Sequence, residues 1–360
     1  MRNKQHLIRN LKRNCQIATI AAVCWFAVLY AKTDVPLFLL SGQSNMAGMQ
    51  NSVNDLSADQ KKTVDNVKIY QASEGSYQNK WSTLGPGFGS SSQNLGPELL
   101  LGKTLSDSLP GKKIAFIKDS RSGTYLGKAT EWLPPSSNNG TGGTYYTAMM
   151  NHIDAALKAF NSAFDTTQYT PRWAGFVWLQ GEFDAMDQNL ANKYETNLTN
   201  LIKDIRTKAS VEDLPVILPM IDVQSAWTYN SKVRAADVAC KQKLKNVDTM
   251  DTKGLPTNGI HYSAAGQVVI GRVSAQRWLA MKFTASWWES AIVYRSSDNK
   301  ITPVSRRMSA AGFPVAMFDL RGRSVSANNS PRLIGAHGIF IIRTGDMASV
   351  VQHPIINILR

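Results

Sequence analysis

The chain has 360 residues, of which 43% are hydrophobic and 18% are charged. This composition excludes a wholly disordered protein, and the length suffices for one large core with a further small domain. The 40 Lys and Arg residues against 26 Asp and Glu give a net charge of +14, which favours acidic partners. We expect no nucleic-acid partner, because the sequence contains no Lys/Arg-rich helix and no RNA-binding signature.

Residues 1–31 have the pattern of a signal peptide. A basic segment with no acidic residue precedes an almost wholly apolar run over residues 17–31. That run is shorter than the roughly twenty residues that a membrane-spanning helix needs. We therefore predict a secreted or cell-surface bacterial protein that has lost residues 1–31, with a retained anchor as the alternative.

Apolar runs alternate with segments of helical periodicity from residue 35 onward. This alternation predicts a parallel sheet covered by helices on both faces. The predicted strands are Pro36–Leu40, Val67–Tyr70, Lys113–Ile117, Ala174–Leu179 and Pro215–Met220. The predicted helices are Pro97–Ser108, Tyr145–Phe160, Asn189–Lys208, Lys232–Lys245 and Ala264–Phe283.

The cysteine content is low. Beyond residue 31 the only cysteine is Cys240, which cannot form an internal disulfide and lies in a helical pattern as a small buried side chain. No Cys/His cluster with the spacing of a zinc site occurs, so we expect no metal and no other cofactor.

A different pattern begins after the last predicted helix. Residues 285–360 contain short β-like runs separated by turn residues, and nine Lys or Arg against four Asp or Glu. Met317–Arg323 and Gly338–Arg343 resemble the C-terminal sorting domains of some secreted bacterial enzymes. We predict a small basic β-sandwich-like domain that contacts the cell envelope or the secretion machinery, with a plain stabilising module as the alternative.

The segment that carries the chemistry follows the first predicted strand. The apolar run ends at Ser41-Gly42, and the next turn carries Ser44. Open α/β sheets place their sites beyond the carboxyl ends of the strands, where a serine hydroxyl beside backbone N–H groups can act as a nucleophile. Ser44 as a simple helix cap is the alternative.

Three ordered blocks suggest a family. Gly42–Met46 resembles the first block of the SGNH-hydrolase superfamily and, more narrowly, of the sialate O-acetylesterase and acetylxylan esterase group, carbohydrate esterase family six. Trp178–Ala185 and Asn258–Gln267 resemble two further blocks of that group, in the same order. The resemblance implies a three-layer α/β/α, flavodoxin-like SGNH domain over residues 32–284.

The resemblance also implies catalytic roles. Ser44 would be the nucleophile and His261 the base that takes its proton, since histidine titrates near working pH. The acid that the family has three residues before the histidine is Asn258 here. Three outcomes are open: a Ser–His dyad in which Asn258 or a backbone carbonyl accepts the His261 N–H, a substitute acid, or a binding protein without activity. The candidate acids are Asp251, Asp248 and Glu182.

Further roles follow from the same resemblance. The oxyanion of the tetrahedral intermediate would be bound by the backbone N–H groups of Ser44 and Gly96 and by the side-chain amide of Gln180. The block residues expected to support the site are Gln43, Asn45 and Glu182. Three tryptophans in predicted loops could stack on sugar rings, namely Trp81, Trp132 and Trp227.

The resulting prediction is a secreted serine esterase that removes O-acetyl groups from a polysaccharide or oligosaccharide. Acetylated xylan is the first expected substrate, because the C-terminal segment suggests a secreted enzyme that degrades plant cell walls. A sialate O-acetylesterase and a non-catalytic carbohydrate-binding protein are the alternatives.

Overall fold

A computed structural model describes residues 32–281 and, after them, six short strands between residues 290 and 352. The predicted signal peptide lies outside the described residues. The strands up to residue 281 are β1 Thr33–Gly42, β2 Val64–Gln71, β3 Lys80–Leu84, β4 Ile114–Ser120, β5 Tyr169–Leu179, β6 Val216–Pro219, β7 Val247–Met250, β8 Thr257–Asn258 and β9 His261–Tyr262. The α-helices are α1 Ser44–Ala47, α2 Glu98–Ser108, α3 Thr144–Lys158, α4 Gln188–Ala209, α5 Asn230–Lys243 and α6 Ala264–Ala280.

Seven of these strands form one sheet in the order β3-β2-β4-β1-β5-β6-β7. All neighbours in it are parallel except the edge strand β3, which pairs antiparallel with β2. The central strand β1 lies between β4 and β5, with Gly42 opposite Ser120 on one side and Leu179 on the other. The carboxyl ends of β1, β4 and β5 therefore meet at one edge, which is where parallel sheets form their sites.

Helices cover both faces of this sheet. Helices α3, α4 and α5 pack on one face, and α2 and α6 pack on the other. Alternate residues of β1 belong to the two layers: Leu37 and Leu39 contact the first, whereas Phe38 and Leu40 contact the second. Because both faces of the strand are buried, its sequence is continuously apolar. The predicted parallel sheet with helices on both faces is confirmed for this part of the chain.

All five predicted helices are present within two or three residues of their predicted bounds. The five predicted strands are also present. The sequence did not predict strands β3 and β7, nor the hairpin that the two short strands β8 and β9 form. Cys240 is fully buried on α5, as expected for a small core side chain, and burial raises the pKa of its thiol to about 11.

One ion pair lies inside the second layer. Lys118 on β4 and Glu98 at the start of α2 are both fully buried, with Nζ and Oε2 separated by 2.8 Å. The same Nζ donates to the carbonyl oxygens of Phe88, at 2.7 Å, and Ala47, at 3.2 Å. Lys118 is therefore bonded to three segments, namely α1, the loop before α2 and α2 itself.

The strands described after residue 289 are β10 Ser290–Tyr294, β11 Ile301–Ser305, β12 Ala316–Phe318, β13 Ser324–Val325, β14 Ile339–Thr344 and β15 Met347–Gln352. They pair antiparallel, as β10–β11 and as the sheet β13-β12-β14-β15. The sorting or attachment role of this segment stays a prediction. No helix in the described part of the chain combines the length and apolar character that a membrane span requires.

Candidate active site

Ser44 begins the one-turn helix α1, two residues beyond the end of β1. Its side chain is at the carboxyl edge of the sheet, and the residue is only 5% exposed. The sharp change of direction needs a glycine at position 42, because a Cβ there would collide with the backbone carbonyl oxygen of Leu179. In residues 32–281 the backbone N–H of Ser44 has no hydrogen-bond partner, as is normal for the first N–H groups of a helix.

Asn45 connects the three sequence blocks. Its Nδ2 donates to Glu182 Oε1 at 2.7 Å, and its Oδ1 accepts the backbone N–H of Tyr262 at 3.0 Å. Its backbone carbonyl accepts Gln267 Nε2 at 2.8 Å. These residues are 137 to 222 positions away in sequence. The structure therefore brings the segments of Ser44, Glu182 and His261 to one place.

Glu182 is a buried carboxyl group beside this junction. Burial raises its pKa to about 7, and the nearby charge of Asp184 adds to the effect. Its Oε1 accepts from Asn45, whereas Oε2 is buried and has no hydrogen-bond partner within residues 32–281. Such a group holds its neighbours in place and is poorly suited to hold a permanent charge.

His261 lies on β9, immediately before the turn into α6, and is 8% exposed. Its Nδ1 is 2.7 Å from Oε1 of Gln50, a residue that follows the α1 turn. Within residues 32–281 Asn258 forms no hydrogen bond with the ring; its Nδ2 instead donates to the backbone carbonyl of Gln50 at 2.8 Å. The expectation that Asn258 or a backbone carbonyl accepts the histidine N–H is therefore corrected, because Nδ1 bonds to the side-chain oxygen of Gln50.

The three candidate substitute acids have other partners. Asp251 pairs with Arg234 at 2.6 Å, and the backbone N–H of Lys253 together with this arginine lowers the pKa of the carboxyl group. Asp248 lies within 4 Å of Lys241 and Arg277. Glu182 bonds to Asn45. None of these carboxylates bonds to His261 in the described residues.

Two of the expected oxyanion donors are bonded within the protein. The Gly96 N–H donates to Glu98 Oε1 at 2.8 Å. The Gln180 amide nitrogen, which has two protons, lies within 3.2 Å of three acceptors, on Thr124, Asp184 and Gln43. In this arrangement both groups donate to acceptors within the protein, and their role as oxyanion donors stays a prediction.

Other donors remain at the same edge. The backbone N–H of Gly123, in the loop after β4, has no hydrogen-bond partner within residues 32–281. Its φ of +70° is one that glycine adopts readily. Gln180 also orients the Gln43 side chain by bonding to its Oε1, and the Gln43 amide nitrogen makes no hydrogen bond in that range. Sequence reasoning gave no role to Gly123, which stands three residues after the end of β4.

The three tryptophans are placed less favourably for substrate than expected. Trp132 and Trp227 are 0% and 2% exposed, so neither ring can stack on a sugar. Trp132 packs on Trp178 and donates to Thr124 Oγ1 at 2.7 Å. Trp81 packs on Phe160 and Phe164 and donates to the Ala156 carbonyl. All three serve the packing of the domain.

An arginine at the site, Arg121, pairs with no carboxylate of residues 32–281. Arg121 follows the end of β4, and its backbone N–H donates to the Gly42 carbonyl at 3.0 Å. Its guanidinium group lies 4.7 Å from the centre of the Tyr145 ring. Nε is buried without a partner, and no carboxylate of residues 32–281 pairs with the side chain.

The described residues contain no group of three His, Cys, Asp or Glu side chains that could hold a metal ion. The chemistry visible at this edge is that of a serine hydroxyl, a buried imidazole and unpaired backbone N–H groups. Such an arrangement suits acyl transfer.

Comparison of the sequence and the fold with those of known proteins identifies a family for this chain. Over 106 residues, 29% of the chain, it is 36% identical to a probable carbohydrate esterase of Arabidopsis thaliana, At4g34215, and the match spans 39% of that protein. The X-ray structure of the Arabidopsis protein superposes with a TM-score of 0.55 at 23% identity, covering 69% of this chain and 99% of that one.

Two further solved structures share the fold. XAC1771, a carbohydrate acetylesterase from Xanthomonas citri, superposes with a TM-score of 0.50 at 15% identity, covering 88% of this chain and 74% of that one. NanS superposes with a TM-score of 0.50 at 13% identity, covering 69% of this chain and 98% of NanS. Residues 34–280 match the family model described as carbohydrate esterase, sialic acid-specific acetylesterase. The chain belongs to this family of carbohydrate esterases.

Proposed function

We propose that this chain is a secreted serine esterase that removes O-acetyl groups from carbohydrate. The observation that carries the proposal is the junction at Asn45, which joins the segments of Ser44, Glu182 and His261 through hydrogen bonds of 2.7 to 3.0 Å. Family membership supports the ester chemistry. A helix cap alone would not require these three segments to meet beside a serine.

The reaction proceeds through an acetyl-enzyme. Ser44 Oγ attacks the acetyl carbonyl carbon while His261 Nε2 takes its proton, and the resulting oxyanion is bound by the N–H groups of Ser44 and Gly123 and by the Gln43 amide. Collapse breaks the bond to the sugar oxygen, which leaves with the proton from His261. Water then repeats the sequence on the acetyl group and releases acetate. Each oxyanion donor lowers the barrier by about 3 kcal/mol.

The substrate has two candidates. Acetylated xylan is the neutral polymer that a secreted degrader of plant cell walls would meet. O-acetylated sialic acid is favoured by Arg121, because a guanidinium that no carboxylate of residues 32–281 neutralises can form a bidentate pair with a sugar carboxylate. The ring of Tyr145, whose centre is 4.7 Å from the guanidinium group, holds that group in place.

Acetate release by residues 32–360 on both substrates tests the proposal. Wild type should release acetate from at least one of them, and Ser44→Ala should abolish release while leaving the fold intact by circular dichroism. If Ser44→Ala retains wild-type turnover, or if folded wild type only binds the carbohydrates, the esterase assignment fails and the binding protein remains.

Arg121→Met separates the two substrates. We expect it to raise KM for O-acetylated sialic acid at least tenfold, because one charge-assisted contact is lost. The same variant should leave hydrolysis of acetylated xylan unchanged. Equal effects on both substrates would show that Arg121 does not recognise a carboxylate.

A further inference from the structure

His261 has a side-chain partner that is not an acid. The hydrogen bond between His261 Nδ1 and Gln50 Oε1, at 2.7 Å, stands where a histidine-based hydrolase usually has a carboxylate. We propose that Gln50 is the positioning residue for His261 and that Asn258 acts by holding Gln50. The inference rests on the proposed function, in which Ser44 and His261 hydrolyse an ester.

The backbone of Gln50 is held in an uncommon conformation. Its φ is +54°, in the left-handed region that non-glycine residues rarely occupy. Asn258 Nδ2 donates to its carbonyl, and the next residue, Asn51, bonds to the backbone of Leu95 in both directions at 2.8 and 2.9 Å. A backbone outlier that its surroundings fix on both sides is typical of functional positions.

The chemistry of the contact decides which imidazole nitrogen acts as the base. An amide oxygen can only accept a hydrogen bond, so Nδ1 carries the proton and Nε2 keeps its lone pair. Nε2 is then the atom that takes the Ser44 proton. A neutral amide orients the ring as a carboxylate would, but it stabilises the imidazolium that forms during the reaction less strongly.

Within residues 32–281 no charged group bonds to the His261 ring to supply that missing stabilisation. Burial is the sole cause that lowers the pKa of His261. Two carboxylates approach its segment, each through an amide: Glu182 through Asn45, and Asp222 through Gln224, which reaches the Gly259 carbonyl. The pH dependence of turnover should therefore respond directly to a charge placed at position 50.

The test compares kcat, and kcat/KM against pH, for para-nitrophenyl acetate in wild type, Gln50→Ala, Gln50→Asn and Gln50→Glu of residues 32–360. Gln50→Ala should lower kcat about tenfold, the factor that corresponds to one neutral hydrogen bond. Asparagine at position 50 keeps the amide and tolerates the left-handed backbone, but its side chain is one methylene too short to reach His261. The kcat of Gln50→Asn should therefore fall by about the same factor as that of Gln50→Ala.

Gln50→Glu keeps the length and adds a charge. It should restore kcat to the wild-type level or above and move the acid limb of the profile to higher pH by about one unit or more, because an adjacent carboxylate favours the protonated imidazole. If Gln50 had a purely structural role, its substitution would not move the acid limb of the profile. The exposed Gln93→Ala serves as the matched control and should behave as wild type.

Two results would overturn the inference: wild-type kcat in Gln50→Ala, or an acid limb in Gln50→Glu that stays in place. Ser44→Ala, assayed alongside, distinguishes this failure from failure of the proposed function. An inactive Ser44→Ala with indifferent Gln50 variants refutes only the role of Gln50. An active Ser44→Ala refutes the esterase mechanism itself.

Discussion

At the scale of single residues, the buried carboxyl group of Glu182 makes the stability of the fold depend on pH. The carboxyl group is buried beside Asn45, and its pKa is raised to about 7 from an ordinary value of 4.5. A group whose pKa is higher in the folded state stabilises the fold at low pH, below its unfolded value. That contribution is lost as the pH rises from about 4.5 through 7.

Glu182→Gln should remove this dependence. The amide oxygen can still accept from Asn45, and no charge has to be buried at high pH. Relative to wild type, we expect the variant to be more stable at pH 8 by up to about 3 kcal/mol and equally stable at pH 4.5. Urea unfolding at the two pH values measures the difference.

The exposed Glu212→Gln is the control for this measurement and should change stability at neither pH. A stability difference between wild type and Glu182→Gln that is the same at pH 4.5 and pH 8 would contradict the prediction. It would show that packing, and not ionisation, distinguishes the two side chains.

Sequence patterns indicated some residues of the candidate site, and they missed others for physical reasons. Ser44 and His261 stand in blocks whose spacing and neighbours resemble a family. Gln50 is an exposed glutamine in a loop, and neither its φ of +54° nor its contact with a residue 211 positions away leaves a trace in local sequence. Gly96 and Gln180 are expected as oxyanion donors from the family resemblance, whereas the acceptors that they contact are set by tertiary structure and cannot be read from local sequence.

At the scale of elements, the buried Lys118 connects three segments under the nucleophile. It bonds to Glu98 on α2, to the Ala47 carbonyl at the end of α1 and to the Phe88 carbonyl in the preceding loop. A lysine inside an apolar strand is itself a sequence signal, since lysines are almost never fully buried unless they are paired. The strand β4 therefore sets the position of α1.

Lys118→Met should destabilise the domain by about 3–5 kcal/mol, because it leaves the Glu98 carboxylate buried without its counter-ion. The double variant Lys118→Met, Glu98→Leu should recover a large part of that loss, since replacing a buried pair by apolar groups is often close to neutral. Thermal and urea unfolding of the three proteins measure both effects. A double variant less stable than Lys118→Met would contradict this account.

The elements that sequence reasoning missed are short and weakly patterned. Strand β3, Lys80–Leu84, is an edge strand with one buried residue among its five. Strand β7, Val247–Met250, buries only its two ends. Each depends on a neighbouring strand for its pairing, and neither has enough apolar residues to show a period of two. The long runs of β1, β4 and β5 were predictable because both of their faces are buried.

At the scale of the whole molecule, the site and both main core clusters lie between residues 35 and 279. We therefore expect residues 32–284 to fold and to hydrolyse para-nitrophenyl acetate with the kcat of residues 32–360. Steady-state assays and thermal unfolding of the two proteins test this. A loss of stability or turnover in the shorter protein would show that residues 285–360 support the esterase domain.

The junction at Asn45 has a kinetic consequence. Its partners come from positions 182, 262 and 267, so the junction closes only when the first strand, the middle of the chain and the last helix of the domain have all assembled. Contacts of such long sequence separation form slowly. During refolding from urea, the return of enzymatic turnover should lag behind the return of the helical circular-dichroism signal, which would make turnover a reporter of the last folding step.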